Sequence, residues 1–156
     1  MKTPIEWLEQ YVNLEGIDQD TLLERLIMTG SNLEQASNVT RGIEGVVIGK
    51  IESIAQHPDA DKLVVCQINL GNEVVQIVTG AKNVKPGDII PVATHGSTIG
   101  GGVRIKKGKL RGVESNGMLC SLAELGFSPN VIPEEFSEGI LLLGSEYESA
   151  IGKNAF

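Results

Sequence analysis

Cysteine, histidine and aromatic residues are scarce in this 156-residue chain, which contains two, two and six of them respectively. Cys66 and Cys120 are too few for a disulfide framework, and a chain of this length buries roughly 68–70% of its unfolded surface without one. The opening residues, MKTPIEWLEQYV, lack the apolar core of a signal peptide. Even GILLLG at 139–144 is far shorter than the roughly 18 apolar residues that span a bilayer. We therefore expect a cytoplasmic protein with no membrane partner.

Residues able to carry out catalysis are also few. His57 and His95 both lie in predicted turns, and neither belongs to a metal-binding or nucleophile motif such as HExxH or GxSxG. Asp59 and Asp61 could join His57 around a cation, but the stretch His-Pro-Asp-Ala-Asp is more typical of a turn held by side-chain to backbone hydrogen bonds. Because no pair of nucleophile and base is visible, we expect no catalytic residue, no metal and no cofactor in this chain.

Acidic residues outnumber basic ones by 20 to 13, and the net charge of −7 disfavours a nucleic-acid partner because phosphate repels an acidic surface. The charge is unevenly distributed, however. Residues 1–44 have three basic and eight acidic side chains, residues 128–156 have one and five, and residues 45–127 have nine and seven. The middle of the chain is therefore a separate module with a small positive charge.

Five basic residues of this module fall within eight positions that contain no acid: Arg104, Lys106, Lys107, Lys109 and Arg111. A regular strand would divide them between two faces, whereas a turn at Gly108 would direct them outward together. They form either a solvated strand face or a patch of positive potential that attracts phosphate, which Lys50, Lys82 and Lys85 would extend.

Two helices are predicted at the start of the chain. Thr3 and Glu6 supply a capping box for the first, with a proline at the first helical position. The second begins at about Asp18 or Asp20, continues with a stripe of leucines and stops at Gly30.

From Val46 the hydrophobic period changes to that of β-strands. Five stretches bounded by turn residues follow: VVIGKIESIA, LVVCQINLG, EVVQIVTGA, IIPVAT and VRIKKGKLRGV. In the second, the apolar residues Val64, Cys66, Ile68 and Leu70 alternate with the polar Gln67 and Asn69, as in a strand with one buried face. Five such strands predict a small barrel, followed by a helical turn at 121–126 and a buried strand at 139–144.

The sequence therefore predicts a mainly β protein with some α-helix, organised in three parts. Residues 1–44 form a small N-terminal helical segment and linker, and residues 45–127 form the barrel. Residues 128–156 form a C-terminal extension that packs back on the N-terminal module.

Three motifs of the middle module are specific when taken together: HPDADKL at 57–63, TGAKNV at 79–84 and RGVESNGM at 111–118. They resemble the EMAP-type tRNA-binding domain, an OB-fold found as free-standing RNA chaperones and as an appendage of several aminoacyl-tRNA synthetases. The resemblance implies an OB-fold β-barrel after the two-helix segment, with tRNA as its partner. The matching motif positions, with structural or binding roles, are His57, Asp61, Asn83, Ser115, Gly117 and Met118.

The flanks of the barrel resemble the start of the β subunit of bacterial phenylalanyl-tRNA synthetases, with a Trp-Leu-x-x-Tyr-Val helix and GVVIGKI at 45–51. The resemblance implies that this chain is the N-terminal portion of a longer subunit. The α₂β₂ enzyme attaches phenylalanine to tRNA, and its aminoacylation centre, ATP and magnesium sites, editing site and anticodon-reading domain would lie outside this chain. The α subunit and the remainder of the β subunit would be its protein partners.

The shortage of aromatic residues also predicts how tRNA would be recognised. Phe127 is the one aromatic residue of 45–127, so the barrel has almost nothing on which to stack bases, an interaction worth roughly 1–3 kcal/mol per base. We expect recognition of tRNA by charge and shape, without catalysis. The alternative is a structural docking domain that stabilises the synthetase through its acidic flanks and makes little direct contact with RNA.

Overall fold

A computed structural model describes residues 3–36, 42–130 and 132–156. The chain divides into two compact units, Met1–Asn38 and Val39–Phe156. The first is helical and the second is mainly β, which is the predicted fold class. The predicted boundaries after residues 44 and 127 stay predictions.

The first unit contains two short helices, α1 (Ile5–Glu9) and α2 (Gln19–Met28). Of the two predicted starts of α2, Asp18 and Asp20, the structure selects Asp18, whose carboxylate accepts a hydrogen bond of 3.0 Å from the backbone N–H of Thr21. The predicted Thr3 cap of α1 is wrong. Pro4 is extended, with ψ of 142°, so it occupies the N-cap position itself and leaves Thr3 one residue too early to cap the helix.

Four long strands build the sheet of the second unit: β1 (Glu44–Gln56), β2 (Val64–Asn69), β3 (Val74–Thr79) and β4 (Ile89–Ile99). They lie in the order β3-β2-β1-β4, and every pairing is antiparallel. Strand β1 pairs β4 through its first half and β2 through its second, and its register shifts between Ile51 and Ser53. Because a bulge bends a strand and increases its twist, this irregularity helps the sheet to curl.

The fifth predicted strand is divided into short pieces. They are β5 (Val103–Arg104) and β6 (Gly108–Leu110), and two further strands follow, β7 (Val113–Ser115) and β8 (Gly117–Leu119). Strand β5 pairs the end of β4, β6 pairs β7 in a hairpin, and β8 returns to pair β4. The turn expected at Gly108 lies instead at Arg111 and Gly112, because Gly108 already pairs with Ser115.

Hydrogen bonds across the open side bring the two ends of the curled sheet together. The backbone N–H of Asn116 donates to the carbonyl of Gln76 at 2.8 Å, and the N–H of Val78 donates to the hydroxyl of Ser115 at 3.1 Å. Strand β3 is thereby joined to the segment between β7 and β8. The five strand patterns therefore form a barrel, but its closure depends on these few bonds.

The alternation predicted for β2 is confirmed by its burial. Cys66 and Ile68 are fully buried and Leu70 nearly so, whereas the intervening polar side chains are partly exposed. Gly49 faces the same core from β1, and a Cβ atom placed there would lie 2.7 Å from the Ile68 Cγ2 atom. The tight packing of the sheet thus explains why a glycine stands at this position of the strand.

The predicted strand at 139–144 is wrong, although its residues do pack on the barrel. The Asn83 side chain bonds the backbone of Ile140, Leu141 N–H donates to the Cys120 carbonyl, and only Leu143 bridges Ile89 of β4. Because consecutive residues bond different segments, no ladder forms. The helical turn predicted at 121–126 is confirmed, since Leu125 N–H donates to the Ser121 carbonyl.

The end of the chain covers the outer edge of β1. Ile48 N–H donates to the Lys153 carbonyl at 2.9 Å, and Gly152 N–H donates back to the Ile48 carbonyl at 2.8 Å. Ala155 N–H adds a bond of 2.9 Å to the Val46 carbonyl. The backbone groups of β1 that β2 does not pair are therefore satisfied by the tail.

Candidate nucleic-acid interface

Residues 104–111, called here the basic segment, connect β5 to the tip of the β6–β7 hairpin. All five of its cationic side chains are exposed. Within the described ranges the only ion pair joins Lys50 to Glu148, so none of these five cations is neutralised by a neighbouring carboxylate. Glu52, a conceivable partner, instead accepts a hydrogen bond of 2.8 Å from the Asn69 side chain. The basic segment is therefore a patch of uncompensated positive charge.

The start of the basic segment is anchored by one buried residue. Ile105 is 8% exposed, and its N–H and carbonyl each form a 2.8 Å hydrogen bond, with Ser97 and Gly96 respectively. Two residues further on, Lys107 N–H donates to Nδ1 of His95 at 3.1 Å. Arg104 and Lys106 flank the anchored isoleucine, so their side chains are presented from a fixed piece of backbone.

The far end of the basic segment is a two-residue turn with an unusual residue in it. Arg111 has φ of 46° and Gly112 has φ of 86°, so both occupy the left-handed region that a tight hairpin turn of this type requires. Glycine or asparagine usually occupies the first of these positions, since other side chains are strained there by about 1–2 kcal/mol. The residue in this strained position carries an exposed guanidinium group at the tip of the hairpin.

His57, the first of the predicted motif positions, holds this hairpin in place. Its side chain is buried, with 3% exposure, and Nδ1 accepts a 3.0 Å bond from Asp59 N–H. Nε2 therefore carries the proton, and it lies 3.0 Å from the carbonyl of Leu110. His57 thus joins the loop after β1 to the basic segment, and the predicted turn at 57–61 is confirmed.

Two other motif positions also bond distant backbone. The Asn83 amide donates to the Ile140 carbonyl at 2.8 Å and accepts from its N–H at 3.0 Å. The Ser115 hydroxyl accepts from Val78 N–H and donates to the Gly117 carbonyl, both at 3.1 Å. These contacts support a structural role for both side chains.

The remaining predicted residues lie in several places. Asp61 is exposed in the loop after β1, Gly117 and Met118 belong to β8, and Lys82 and Lys85 are exposed in the loop before β4. Lys50 forms an ion pair with Glu148, and the hydrogen bond and charge of Lys50 hold the pKa of the Glu148 carboxyl below its usual value. Binding roles for all of these residues stay predictions.

A groove of about 550 Å³ opens beside the basic segment. Its apolar wall includes Ile105, Met118 and Ile140, and Arg104 and Lys106 also line it. Polar side chains also line it, and two of them, Ser121 and Glu124, were not singled out as site residues from the sequence. The sequence Ser-Leu-Ala-Glu at 121–124 has the spacing of a capping box. This pattern indicates the helical turn but gives no sign that the two residues line a groove.

Two absences among the described residues bear on other functions. No group of three or more His, Cys, Asp or Glu side chains in 3–36, 42–130 and 132–156 is placed to hold a metal ion. Among the same residues, no helix has the length and apolar character needed to cross a membrane.

Comparison with known proteins identifies the family. Residues 46–149 match the family model described as "Putative tRNA binding domain". The chain is 50% identical over 155 residues to the phenylalanine–tRNA ligase β subunit of Clostridium tetani and 49% identical over 155 residues to that of Clostridium acetobutylicum. These alignments cover 99% of this chain and 19% of each relative. The chain therefore spans about a fifth of the length of its relatives.

A solved structure supports the fold. The MetRS related protein from Pyrococcus horikoshii is 21% identical, with a TM-score of 0.50 over 78% of this chain and 99% of its own. At this identity the likeness concerns the fold alone, and it agrees with the OB-type barrel predicted from the sequence. The family match covers the barrel from the third residue of β1 to the end of β8, together with most of residues 128–156. The chain therefore belongs to this family of tRNA-binding domains.

Proposed function

We propose that this chain is the tRNA-binding module of a phenylalanine–tRNA ligase β subunit and that it contacts tRNA through the basic segment. The observation that carries the proposal is the set of five exposed cations without acidic partners among the described residues. Phosphate oxygens are the natural counterpart of such a patch, since most contacts to nucleic acids go to phosphate and sugar.

Recognition by charge and shape fits the barrel better than recognition by stacking. Phe127, the one aromatic residue of 45–127, is half-buried and packs against the core around Val46 and Leu125. This packing leaves only part of the ring exposed. The basic segment therefore binds the backbone of folded RNA, and this contact has little preference for sequence.

The rest of the chain keeps this binding weak. The net charge of −7 repels RNA from every surface other than the patch. With about three phosphates neutralised, log K falls against log salt with a slope of roughly −2 to −3, at about 0.7 to 0.9 per phosphate. Such a module adds to the affinity of a larger assembly rather than binding tightly by itself.

The wider setting of the module follows from the β subunits that the chain resembles. We infer that the full-length protein lies in the cytoplasm and joins an α subunit in an enzyme that attaches phenylalanine to tRNA. This chain takes no part in the chemistry, and the sites for ATP and magnesium lie elsewhere in the enzyme. The similarity over a fifth of each relative supports this assignment.

A second function, docking on the rest of the synthetase, is favoured by the surface of the helical unit. Trp7 is 61% exposed, Tyr11 86% and Met28 81%. Such side chains are expected to be covered in an assembly. Docking and RNA binding involve different units, so one chain can do both.

The decisive experiment compares two double variants with the same loss of charge. Lys107→Ala with Lys109→Ala removes two cations of the basic segment, and Arg25→Ala with Lys153→Ala removes two exposed cations elsewhere. We expect the first pair to reduce the slope of log K against log salt by about 1.5 and to weaken cognate and non-cognate tRNA alike. The control pair should leave the slope nearly unchanged. If both pairs bind tRNA as the parent chain does at every salt concentration, the basic segment is not the contact surface, and docking becomes the better supported role for this module.

A further inference from the structure

We propose that the groove beside the basic segment holds one unpaired guanine nucleotide of the bound RNA. The inference rests on the proposed function and adds a base preference to it. It concerns the space of about 550 Å³ between the end of β3, the start of the basic segment, β8 and the tail. This volume is within the range of about 300–1,000 Å³ that is usual for small-molecule sites.

The wall of the groove suits the face of a base. Val78 and Leu119 from the core, with Met118, Ile105 and Ile140, give it an apolar lining in which the first two are almost fully buried. A base that is unstacked in an RNA loop needs such a surface, since RNA-binding proteins take up splayed bases against apolar or planar groups. The Met118 side chain is polarisable and adapts to a flat ring.

The mouth of the groove carries the charge that a nucleotide requires. Arg104 and Lys106 line it, both are exposed, and neither has an acidic partner in the described part of the chain. The N–H and the carbonyl of Ile105, which lies between them, are both hydrogen-bonded. The backbone from which the two cationic side chains extend is therefore held in place. They are placed to bind the phosphate of a nucleotide whose base enters the groove.

Glu124 gives the groove its preference for one base. Its Oε2 atom accepts bonds from Ser121 N–H at 2.7 Å and from the Ser121 hydroxyl at 2.9 Å, so the half-buried carboxylate is held in one orientation. An ionised carboxylate only accepts hydrogen bonds. It therefore selects an edge that offers donors.

Guanine fits this requirement best among the four bases. Its Watson–Crick edge offers a ring N–H and an amino group side by side, and both can donate to Oε1 of Glu124, the carboxylate oxygen to which Ser121 does not bond. Uracil offers one ring N–H between two carbonyls, which repel a carboxylate. Adenine and cytosine offer an amino group next to an unprotonated ring nitrogen, which repels it as well.

The test is a titration of the 156-residue chain with GMP, AMP, CMP and UMP, followed by the amide resonances of the groove residues. We expect GMP to bind with a Kd on the order of 1 mM and about tenfold more tightly than the other three nucleotides. Glu124→Gln should reduce this preference to about twofold or less, because glutamine keeps one oxygen for the Ser121 bonds but replaces an acceptor by a donor. The matched control is Glu114→Gln, at an exposed glutamate of β7 that does not line the groove.

Several results would overturn the inference. They are equal shifts with all four nucleotides, shifts that lie outside the groove, no shift with any nucleotide, and a preference for GMP that survives in Glu124→Gln. The salt dependence of tRNA binding tests the proposed function separately. A chain that binds tRNA through Lys107 and Lys109 but shows no preference for GMP would contradict the guanine site alone.

Discussion

The sheet β1–β4 and the basic segment belong to the same compact unit, yet different forces hold them. In the sheet, apolar side chains such as Ile68, Ile90 and Val92 are fully buried and the strands pair over long registers. In the basic segment only Ile105 is buried, and two histidine side chains and a strained turn hold the backbone.

Because of this difference, the sheet determines most of the stability of the unit, whereas the basic segment can serve ligand binding. The close-packed sheet tolerates few other side chains in its core, because adding or removing even one methylene group there changes the stability of the fold. The basic segment contributes few apolar contacts, so its side chains are free to be selected for a ligand. Substitutions in the two regions should therefore have different consequences, which can be measured.

Among the substitutions, the largest expected effect on stability comes from truncating one valine in the sheet and, for comparison, the valine immediately before the basic segment. Val92→Ala, in the core, should lower the free energy of unfolding by about 2–3 kcal/mol, through lost burial and the cavity left behind. Val103→Ala, at a residue that is 54% exposed, should change it by less than about 0.5 kcal/mol. Urea unfolding of the two variants and the parent measures both values. Similar losses for the two valines would contradict the contrast.

A somewhat smaller effect is expected where the two regions are joined by His57. His57→Ala removes the partners of the Leu110 carbonyl and of Asp59 N–H, and should destabilise the unit by about 2 kcal/mol. His57→Gln, whose amide can still donate to Leu110, should recover part of this loss. Thermal unfolding with tRNA titration of both variants checks the prediction, and an alanine variant as stable as the parent would refute the role of His57.

A substitution at Arg111 is expected to increase the stability of the chain rather than reduce it. Arg111→Asn places the preferred residue in the left-handed turn and should stabilise the chain by roughly 0.5–1 kcal/mol. The same change removes a cation from the hairpin tip and should weaken tRNA binding. Lys109→Ala, which removes a cation without altering the turn, is the control for binding alone. If Arg111→Asn is less stable than the parent, the strain assigned to this turn is wrong.

A further effect concerns the pH dependence of the core. Burial raises the pKa of Cys66 to about 11 and that of Cys120 to about 12, from an ordinary value of 9.0. Below pH 9 both thiols are protonated in the folded and unfolded chain, so their contribution to stability is fully present. Above it the unfolded chain loses these protons first, and stability should fall as the pH rises towards 11 and 12.

Comparison with a double variant isolates this effect. Cys66→Ala with Cys120→Ala is less stable at every pH because it leaves two small cavities, but its stability should decline less between pH 9 and 11. Urea unfolding at both pH values gives the difference. Equal declines in parent and variant would contradict the assignment to the thiols.

How much could be predicted from the sequence also differs between the two regions. Strands β1 to β4 follow from periodicity, because burial on one face of a strand imposes alternation, as from Val64 to Leu70. The capping of α2 by Asp18 follows from local chemistry. Both features depend on residues that are close to one another in the sequence.

The features that could not be predicted depend on distant partners. The fifth strand pattern divides because Ile105 bonds the end of β4 whereas Gly108 bonds β7. The contact between His57 and the Leu110 carbonyl joins residues 53 positions apart, and Glu124 reaches the groove only through the turn at Ser121. The basic segment could be recognised in the sequence as a run of positive charge. The exposure of its side chains, and their lack of acidic partners among the described residues, depend on the fold.

The most direct measurement of the central claim is a map of the tRNA contact on the isotopically labelled 156-residue chain. The amide spectrum would be recorded during a titration with tRNA at low salt, where a weak charge-driven contact is strongest. We expect the amides of residues 104–111 to shift and broaden first, while those of β2 and of α2 stay in place. Shifts confined to the helical unit or to the tail, with residues 104–111 unchanged, would contradict the account.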